Sequence, residues 1–484
     1  MTTLAGTRPT PGAMPAAAVP RRQPVASTSA TTQGTVEMAG STVLFLGLLS
    51  LMLVEYIGLT KDIPILKLIR YSTLTAYTLM AIVIARVGPK ALVEYPQSKA
   101  LLAFVGFTGF TVIYAVVRSY VPTALRAHLD YFALYLTTLY LVDRRKRFDL
   151  LSLTCSVITI LLVVRNLPKL GQEQRTAVFT AGYFMGDGND FAWGLLTLLP
   201  FSIYLLIGKR RPIHYRLIGL AGLACGLLGV IGTQSRGAAL ALAAAGLFYW
   251  FKLAKRKAAT AAALAIVVTG AAIVAPPTYF DRLKSIENYE EDSSAQGRLR
   301  AWKAAVNMAI DYPLGVGAGS FNSAYGRFYM PSHVEGWAPN RWISAHSVYF
   351  KVLGEYGFLG LAIVLWVIYS CMRMNLRNLA RVRATPDVYS VPDTWPALIA
   401  LGFVAYSVAA VFLGGITYPH LYFLAGLTVG CDRILAAEDA NRERRNTEPA
   451  VEVSVSRVPT PPRATAMVPR RRPAPTAVPR KFFD

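Results

Sequence analysis

The sequence predicts an all-α, polytopic membrane protein with about twelve transmembrane helices. Of its 484 residues, 54% are hydrophobic, and the mean hydropathy is +0.40. Apolar runs recur along the chain at close to the roughly 20 residues that an α-helix needs to cross about 30 Å of hydrocarbon. Short clusters of Lys and Arg separate these runs, which is typical of membrane proteins.

The first segment, residues 1–41, is rich in Ala, Pro, Thr and Ser and cannot bury a hydrophobic core. We expect a disordered tail there. The apolar run that begins near Thr42 lies too far into the chain, and is too long, for a cleaved signal peptide. We therefore interpret it as the first retained span.

Twelve apolar runs make up the predicted transmembrane bundle, residues 42–435. They occupy residues 42–59, 68–87, 100–120, 129–142, 150–166, 190–208, 215–233, 237–252, 258–275, 346–370, 396–413 and 417–435. The Pro- and Arg-rich segment 436–484 follows as a second, basic tail that we also expect to be disordered.

Basic residues collect in alternate loops, and this sets the predicted orientation. The clusters lie at residues 144–147, 209–211, 252–257 and 373–383. By the positive-inside rule their side is cytoplasmic, and with twelve spans both tails fall on that side. The remaining loops then face outward: residues 166–189, the turn at Gln234, the long segment 276–345 and the turn near Gly414.

Charge and cysteine content exclude two classes of function. The net charge is +23, but the basic residues follow the membrane topology and do not form one binding face, so nucleic acid is not a predicted partner. The four cysteines lie in or beside apolar runs without the paired spacing of a redox or metal site. The sequence therefore predicts no disulfide framework and no metal centre.

The long outer loop contains one predicted helix. In SSAQGRLRAWKAAVNMAIDYP, Ser293 and Gln296 have the spacing of a capping box, and Pro313 ends the segment. Apolar residues at helical spacing form one face: Leu299, Trp302, Val306 and Ile310. That face suits the membrane interface, with Trp302 as its anchor, and packing against the bundle explains the pattern equally well.

Three arginines of the outer loops are candidate anion ligands. Arg236, in TQSRGAAL, lies at the mouth of two closely joined spans. An arginine at membrane depth costs about 2.5–3.5 kcal/mol, and its planar guanidinium suits phosphate, so a bound anion is the favoured reason for it. The alternatives are a helix cap or contact with lipid headgroups. Arg298 and Arg300 begin the loop helix, where the helix dipole adds to any anion site, although such charges are often only solvated.

Other polar residues of the outer loops have weaker signals. Asp187 and Asn189, in GDGNDF, precede a span and either cap it or contact substrate. His420 fits a hydrogen-bonded interfacial histidine better than a catalyst. The run GVGAGSF, residues 315–321, follows a helix and a proline, which predicts a tight turn and not a phosphate loop. The acidic run 290–292 is typical of a solvated face, and we predict no metal there.

His346 is a lone histidine between the polar loop and the next span, in WISAHSVYFKVLGEYGFLG. Because the ordinary pKa of histidine is about 6.5, neutral imidazole is available as a general base near neutral pH. The alternative is structural: His346, Ser344 or Ser347 caps the exposed amides at the start of the helix.

These motifs resemble the O-antigen ligase and polymerase superfamily of bacterial surface-glycan assembly. The resemblance rests on SRG at the short outer turn, on GRLRAWKAAVNMAIDYPLGVGAGSF and on AHSVYFKVLGEYGFLGL. GDGNDFA, EEDSSAQGR and HSVYFKVLGEYGFLGL are especially similar to the O-glycosylation ligases associated with exosortase systems. The similarity covers about residues 150–435 and is most specific at 297–360.

The resemblance implies a glycosyltransferase of the helical GT-C type in the bacterial inner membrane, with its active site in the periplasm. It implies a glycan donor on undecaprenyl diphosphate and an acceptor hydroxyl on a glycan, lipid or protein, without cofactor or metal. The family's arginines correspond to Arg236 and Arg298, as ligands of the donor diphosphate, and its catalytic histidine to His346. The remaining candidate substrate contacts are Arg300, Asp187, Asn189 and His420, and other glycan-assembly proteins are candidate partners.

Three readings remain open at this point. Ligation to a lipid or protein and polymerisation of repeat units share this chemistry and differ only in the acceptor. A glycan flippase or exporter belongs to another class, but it would place charged residues inside the spans and not at their outer mouth. An assembly scaffold would use its basic tails to bind anionic lipid or partner proteins.

Overall fold

The computed structural model describes residues 42–172, 179–208, 211–275, 293–330 and 342–447, and these residues form helices and turns with no β-strand among them. The long helices are α1 Thr42–Ile57, α2 Tyr71–Val87, α3 Pro96–Phe110, α4 Val121–Leu141, α5 Arg145–Asn166, α6 Gly188–Ile207, α7 Ile213–Gly232, α8 Arg236–Phe248, α9 Lys257–Val274, α10 Ser293–Asp311, α11 Val348–Ala384, α12 Thr394–Phe412 and α13 His420–Thr447. The predicted all-α class is therefore confirmed.

Five of the described helices, α5, α6, α7, α11 and α12, are long and apolar enough to cross a membrane. Helices α1, α2 and α9 are apolar but shorter. Each of the twelve predicted spans overlaps one described helix, and α10 falls in the predicted outer loop. The chain is thus an α-helical membrane protein, and the number of twelve crossings stays a prediction.

The third and fourth spans begin and end elsewhere than predicted. The predicted span 100–120 ends as an α-helix at Phe110 and continues as short 3-10 turns. Helix α4 begins at Val121, well before the predicted start at 129. Pro122 explains this start, because proline in the first helical turn has a suitable φ and its missing N–H would have no intrahelical partner there.

The predicted tails lie mostly outside the described residues, which exclude 1–41 and 448–484. Helix α13, however, continues to Thr447, past the predicted end of its span at 435. The added sequence, AAEDANRERRNT, is rich in Ala, Glu and Arg, which have high helix propensity. The segment from 436 therefore begins as helix, where the composition predicts a tail.

Helix α6 is central to the packing. Every side chain from Phe191 to Ser202 is buried, and α6 contacts α5, α7, α8 and α12. Helix α7 approaches it through glycines; a Cβ at Gly219 would lie 2.8 Å from the carbonyl oxygen of Ser202. Small residues permit this spacing, as is common where membrane helices pack.

The two ends of the bundle differ in charge. At one end α6, α8, α11 and α13 begin, and backbone hydrogen bonds join their loops; Gly171 donates to Gly232 (2.8 Å) and Val348 donates to Leu413 (3.1 Å). The other end carries the basic clusters 144–147 and 373–383, and two arginines there pair with carboxylates: Arg211 with Asp149 (2.9 Å) and Arg383 with Asp393 (3.4 Å). This segregation is the pattern from which the orientation was predicted, and the cytoplasmic assignment of the basic end remains a prediction.

Helix α10 is present where the capping box predicts it, but its packing face is not the predicted one. The residues buried against the start of α11 are small or flexible: Ala301, Ala304, Ala305 and Met308. Trp302 packs as well, stacking on Phe350 with 4.7 Å between ring centroids and donating to the carbonyl of Ala345 (2.9 Å). The other residues of the predicted face are exposed, namely Leu299, Val306 and Ile310.

The glycine run 315–321 forms a tight turn, in agreement with the sequence-based interpretation. Gly315, Gly317 and Gly319 all have positive φ. The N–H groups of Val316 and Gly317 donate to the carbonyls of Gly354 and Glu355, at 2.9 and 3.0 Å, so they are not available to a phosphate. Helix α11 bends at Gly357 (φ 62°), next to this turn. The turn thus fixes α10 against the start of α11.

Candidate functional site

His346 lies two residues before α11 in a left-handed backbone conformation, with φ 44°. Such a conformation costs about 1–2 kcal/mol for a residue with a Cβ, and it marks a functional constraint when the surroundings enforce it. At His346 the surroundings enforce the conformation, because the N–H of nearby Val348 donates to the carbonyl of Leu413 at the end of α12. A Cβ on Gly414 would lie 3.0 Å from the Cα of His346, so a side chain at position 414 would crowd the backbone of His346.

The structure does not support the alternative that these residues cap α11. Ser347 occupies the N-cap position, but its side chain accepts no hydrogen bond from the helix. Its hydroxyl instead donates to the carbonyl of Ala410, at 3.4 Å. Within the described part of the chain, the His346 ring forms no side-chain hydrogen bond, so it remains available to a substrate.

The surroundings of His346 keep its ring neutral. The residue has an exposed surface, but protein encloses the other sides of the ring, and this burial lowers the pKa of His346 below its ordinary value of 6.5. The positive charges of Arg298 and Lys351 lower the pKa further, and the carboxylate of Asp187 opposes them. A neutral histidine with an open face is suited to accept a proton.

Arg236 is the first residue of α8, so its guanidinium lies at the positive end of a helix dipole. Ser235 caps this helix, accepting from the N–H of Ala238 at 3.3 Å. Gln234, which precedes the cap, is another non-glycine residue with positive φ (54°). A Cβ on Gly237 would lie 2.7 Å from the Cβ of Phe412. The start of α8 therefore packs on the same end of α12 as His346.

Arg298 and Arg300 of α10 act on different neighbours. Arg298 is half-buried, and its charge acts on His346. The charge of Arg300 acts on Tyr325, which belongs to the small core between α10 and the residues that follow the glycine turn. Arg298 thus acts on His346, whereas Arg300 acts on the small core that contains Tyr325.

The start of α6 supplies the acidic side of the site. Asp187 caps the helix by accepting from the N–H of Asp190 (2.8 Å), as predicted. Asn189 accepts from the Ser235 hydroxyl (2.7 Å), which ties α6 to the turn that carries Arg236. The carboxylate of Asp190 accepts from the hydroxyl of Tyr418 (2.6 Å). The capping role of Asp187 is therefore confirmed, and Asn189 has a structural partner.

His420, the first residue of α13, is fully buried. Its Nδ1 is 3.1 Å from the hydroxyl of Tyr56, and the rings of Phe184 and Trp193 lie 5.4 and 5.2 Å from it. This environment favours the hydrogen-bonded structural histidine that the sequence also suggested over a substrate contact.

Sequence patterns alone did not single out four residues that build this end of the bundle: Ser235, Lys351, Gly414 and Tyr418. Only the glycine pair in GGITYPH hinted at a close backbone approach. Among the residues that the structure describes, no group of three His, Cys, Asp or Glu side chains could hold a metal ion. The acidic run 290–292 lies outside the described residues.

Comparison with known families agrees with this geometry. Residues 221–365 match the model of a family described as O-antigen ligase. The matched segment contains Arg236, Arg298 and His346. A search of curated proteins gave no significant match. The predicted resemblance to the O-antigen ligase and polymerase superfamily is therefore confirmed over this segment.

Proposed function

We propose, from the O-antigen ligase domain at residues 221–365, that this membrane protein transfers a glycan from undecaprenyl diphosphate to an acceptor hydroxyl on the periplasmic face of the bacterial inner membrane. The observation that carries the proposal is the position of His346. Its neutral ring has an open face beside the charge of Arg298, and it packs on the same end of α12 as the helix that begins at Arg236.

In the proposed reaction, the acceptor oxygen attacks the anomeric carbon of the donor sugar. His346 takes the hydroxyl proton as the new carbon–oxygen bond forms. The bond between the anomeric carbon and the phosphate oxygen breaks, and its electron pair leaves with undecaprenyl diphosphate. Each turn then yields one glycoside, one undecaprenyl diphosphate and one proton, which His346 returns to the aqueous phase.

The leaving diphosphate gains negative charge as that bond breaks. Arg236 and Arg298 present planar guanidinium groups, which form paired, charge-assisted hydrogen bonds to phosphate oxygens. The helix dipole at the start of α8 acts in the same direction. Fixed cations of this kind stabilise developing charge without having to reorient during the reaction.

A polymerase of the same superfamily would use the same chemistry on a different acceptor. The experiment that tests the proposal is therefore the glycan pattern of a deletion strain. Full-length polymer that accumulates on its lipid carrier indicates a ligase, whereas loss of the long ladder with one repeat unit kept on the acceptor indicates a polymerase. Wild-type glycan, on the carrier and on the acceptor, would contradict the proposal in both forms.

The pH dependence of transfer follows from the environment of His346. Because its pKa is lowered, the ring stays neutral to lower pH than an ordinary histidine, and the loss of activity on acidification is expected below pH 6.5. The carboxylate of Asp187 raises this pKa, so Asp187→Asn should move the loss to still lower pH. Asparagine also caps helices, which keeps α6 intact. An unchanged or higher midpoint in pH–rate profiles of this variant would contradict the assignment.

Metal independence is a further expectation. If Arg236 and Arg298 neutralise the donor diphosphate, the purified protein should transfer glycan from its lipid-linked donor in excess EDTA. The rate should stay within about twofold of the untreated rate, since every cation in the proposed chemistry is a protein side chain. A strict requirement for added Mg²⁺ or Mn²⁺ would instead direct attention to the acidic run 290–292.

A further inference from the structure

Lys351 is a half-buried lysine in the first turn of α11. The five residues that follow it, Val352 to Tyr356, are all buried. Long cations at such depth carry a desolvation cost and are usually retained for an anion that they bind. The family match covers this residue but assigns it no role.

Helix geometry tilts the side chain of Lys351 toward the start of α11, which follows His346 in the chain. In an α-helix the Cα–Cβ bond tilts toward the N-terminus, and α11 has its N-terminus at the outer end, two residues after His346. The charge of Lys351 acts on His346 and also on Asp190 of α6 and Glu355 of its own helix. The ammonium therefore lies inside the site and not on the lipid-facing surface.

Neither carboxylate near Lys351 is committed to it. Asp190 accepts from the hydroxyl of Tyr418 (2.6 Å), and Glu355 accepts from the N–H of Phe321 (3.3 Å). Over the described parts of the chain, Lys351 forms neither an ion pair nor a side-chain hydrogen bond. Its charge is thus balanced at a distance, and the three donors of the ammonium are open to a ligand.

We propose that Lys351 is a third ligand of the donor diphosphate, and that it binds the phosphate that carries the polyprenyl chain. This rests on the proposed function. A diphosphate has two anionic groups, and the one attached to the lipid must lie deeper than the one attached to the sugar. Lys351 is inside α11, whereas Arg236 begins α8 and Arg298 belongs to the loop helix. A compact ammonium on a flexible stem suits this point contact.

The test is equilibrium binding of undecaprenyl diphosphate to the full-length protein in lipid nanodiscs. Lys351→Met keeps the length of the side chain and removes its charge. It should weaken binding by about 10- to 100-fold, the usual effect of losing a hydrogen bond between charged groups. Lys351→Arg should recover most of the affinity. Lys303→Met is the matched control, since Lys303 is exposed on α10, and it should bind like wild type.

Thermal unfolding of the same samples separates binding from structural support. If Lys351 served only to balance Asp190 and Glu355, Lys351→Met would lower the unfolding temperature and leave the Kd unchanged, which would overturn the proposal. Equal weakening in the Lys303→Met control would overturn it as well. A wild-type protein that does not bind undecaprenyl diphosphate would refute the proposed function itself, so the two failures are distinguishable.

Discussion

Replacing His346 with alanine is expected to lower glycan transfer by about 10²- to 10⁴-fold, the usual contribution of a general base. The neutral ring is the group placed to take the acceptor proton, and alanine has no atom that can replace it. Binding of undecaprenyl diphosphate should remain, because His346 is not a ligand of the phosphates. The measurement is initial transfer rate per folded molecule, with donor binding measured on the same preparation.

His214→Ala provides the matched control. His214 is exposed at the start of α7, at the opposite end of the bundle, and its removal should leave the rate unchanged. A His346→Ala protein that is less stable but turns over at the wild-type rate would show that the residue only supports the strained start of α11. That outcome would show that His346 is not the general base.

Conservative substitution of either site arginine should have the second-largest effect. Arg236→Lys and Arg298→Lys keep the positive charge but lose the planar pair of donors that binds phosphate oxygens. We expect each to reduce the transfer rate by about 10- to 100-fold, corresponding to the loss of one charge-assisted hydrogen bond. Membrane insertion and thermal stability should be normal, because lysine at these positions has access to the same polar mouth.

Arg327→Lys is the control for this pair, because Arg327 is exposed near the same outer loop and has no proposed role. It should transfer glycan at the wild-type rate. Full activity in both Arg236→Lys and Arg298→Lys would contradict the diphosphate assignment. If only one of the two variants loses activity, the diphosphate ligands would be that arginine and Lys351.

The helices could be predicted because a membrane constrains sequence strongly: a span must be apolar over its whole length, and its ends collect charge. Errors arose where local chemistry decided the boundary, as at Pro122, where α4 begins earlier than its apolar run suggests. The packing face of the loop helix α10 was also predicted wrongly, because the prediction followed its large apolar residues, and three of these are exposed. The buried face consists mainly of alanines, because a small side chain lets two helices approach closely.

The candidate site was predictable only in part, for a related reason. Arg236, Arg298 and His346 stand out because they are basic residues on the predicted outer side, opposite the clusters of Lys and Arg that set the orientation. Ser235 and Gly414 do not stand out, because their roles arise from contacts with Asn189 and with the backbone of His346, each remote in sequence. His420 had the weaker signal in the sequence, and its burial against Tyr56 and Trp193, both remote in sequence, becomes visible only in the structure.

The most direct test of the central claim uses the purified protein in lipid vesicles, with lipid-linked glycan extracted from the deletion strain and that strain's membranes as the acceptor. Mass spectrometry would follow free undecaprenyl diphosphate and glycan on the acceptor over time. Transfer by the proposed route predicts that wild-type protein releases the two products in equal amounts, and that His346→Ala releases neither above background. Glycan that crosses or leaves the membrane while still attached to its diphosphate carrier would contradict the claim.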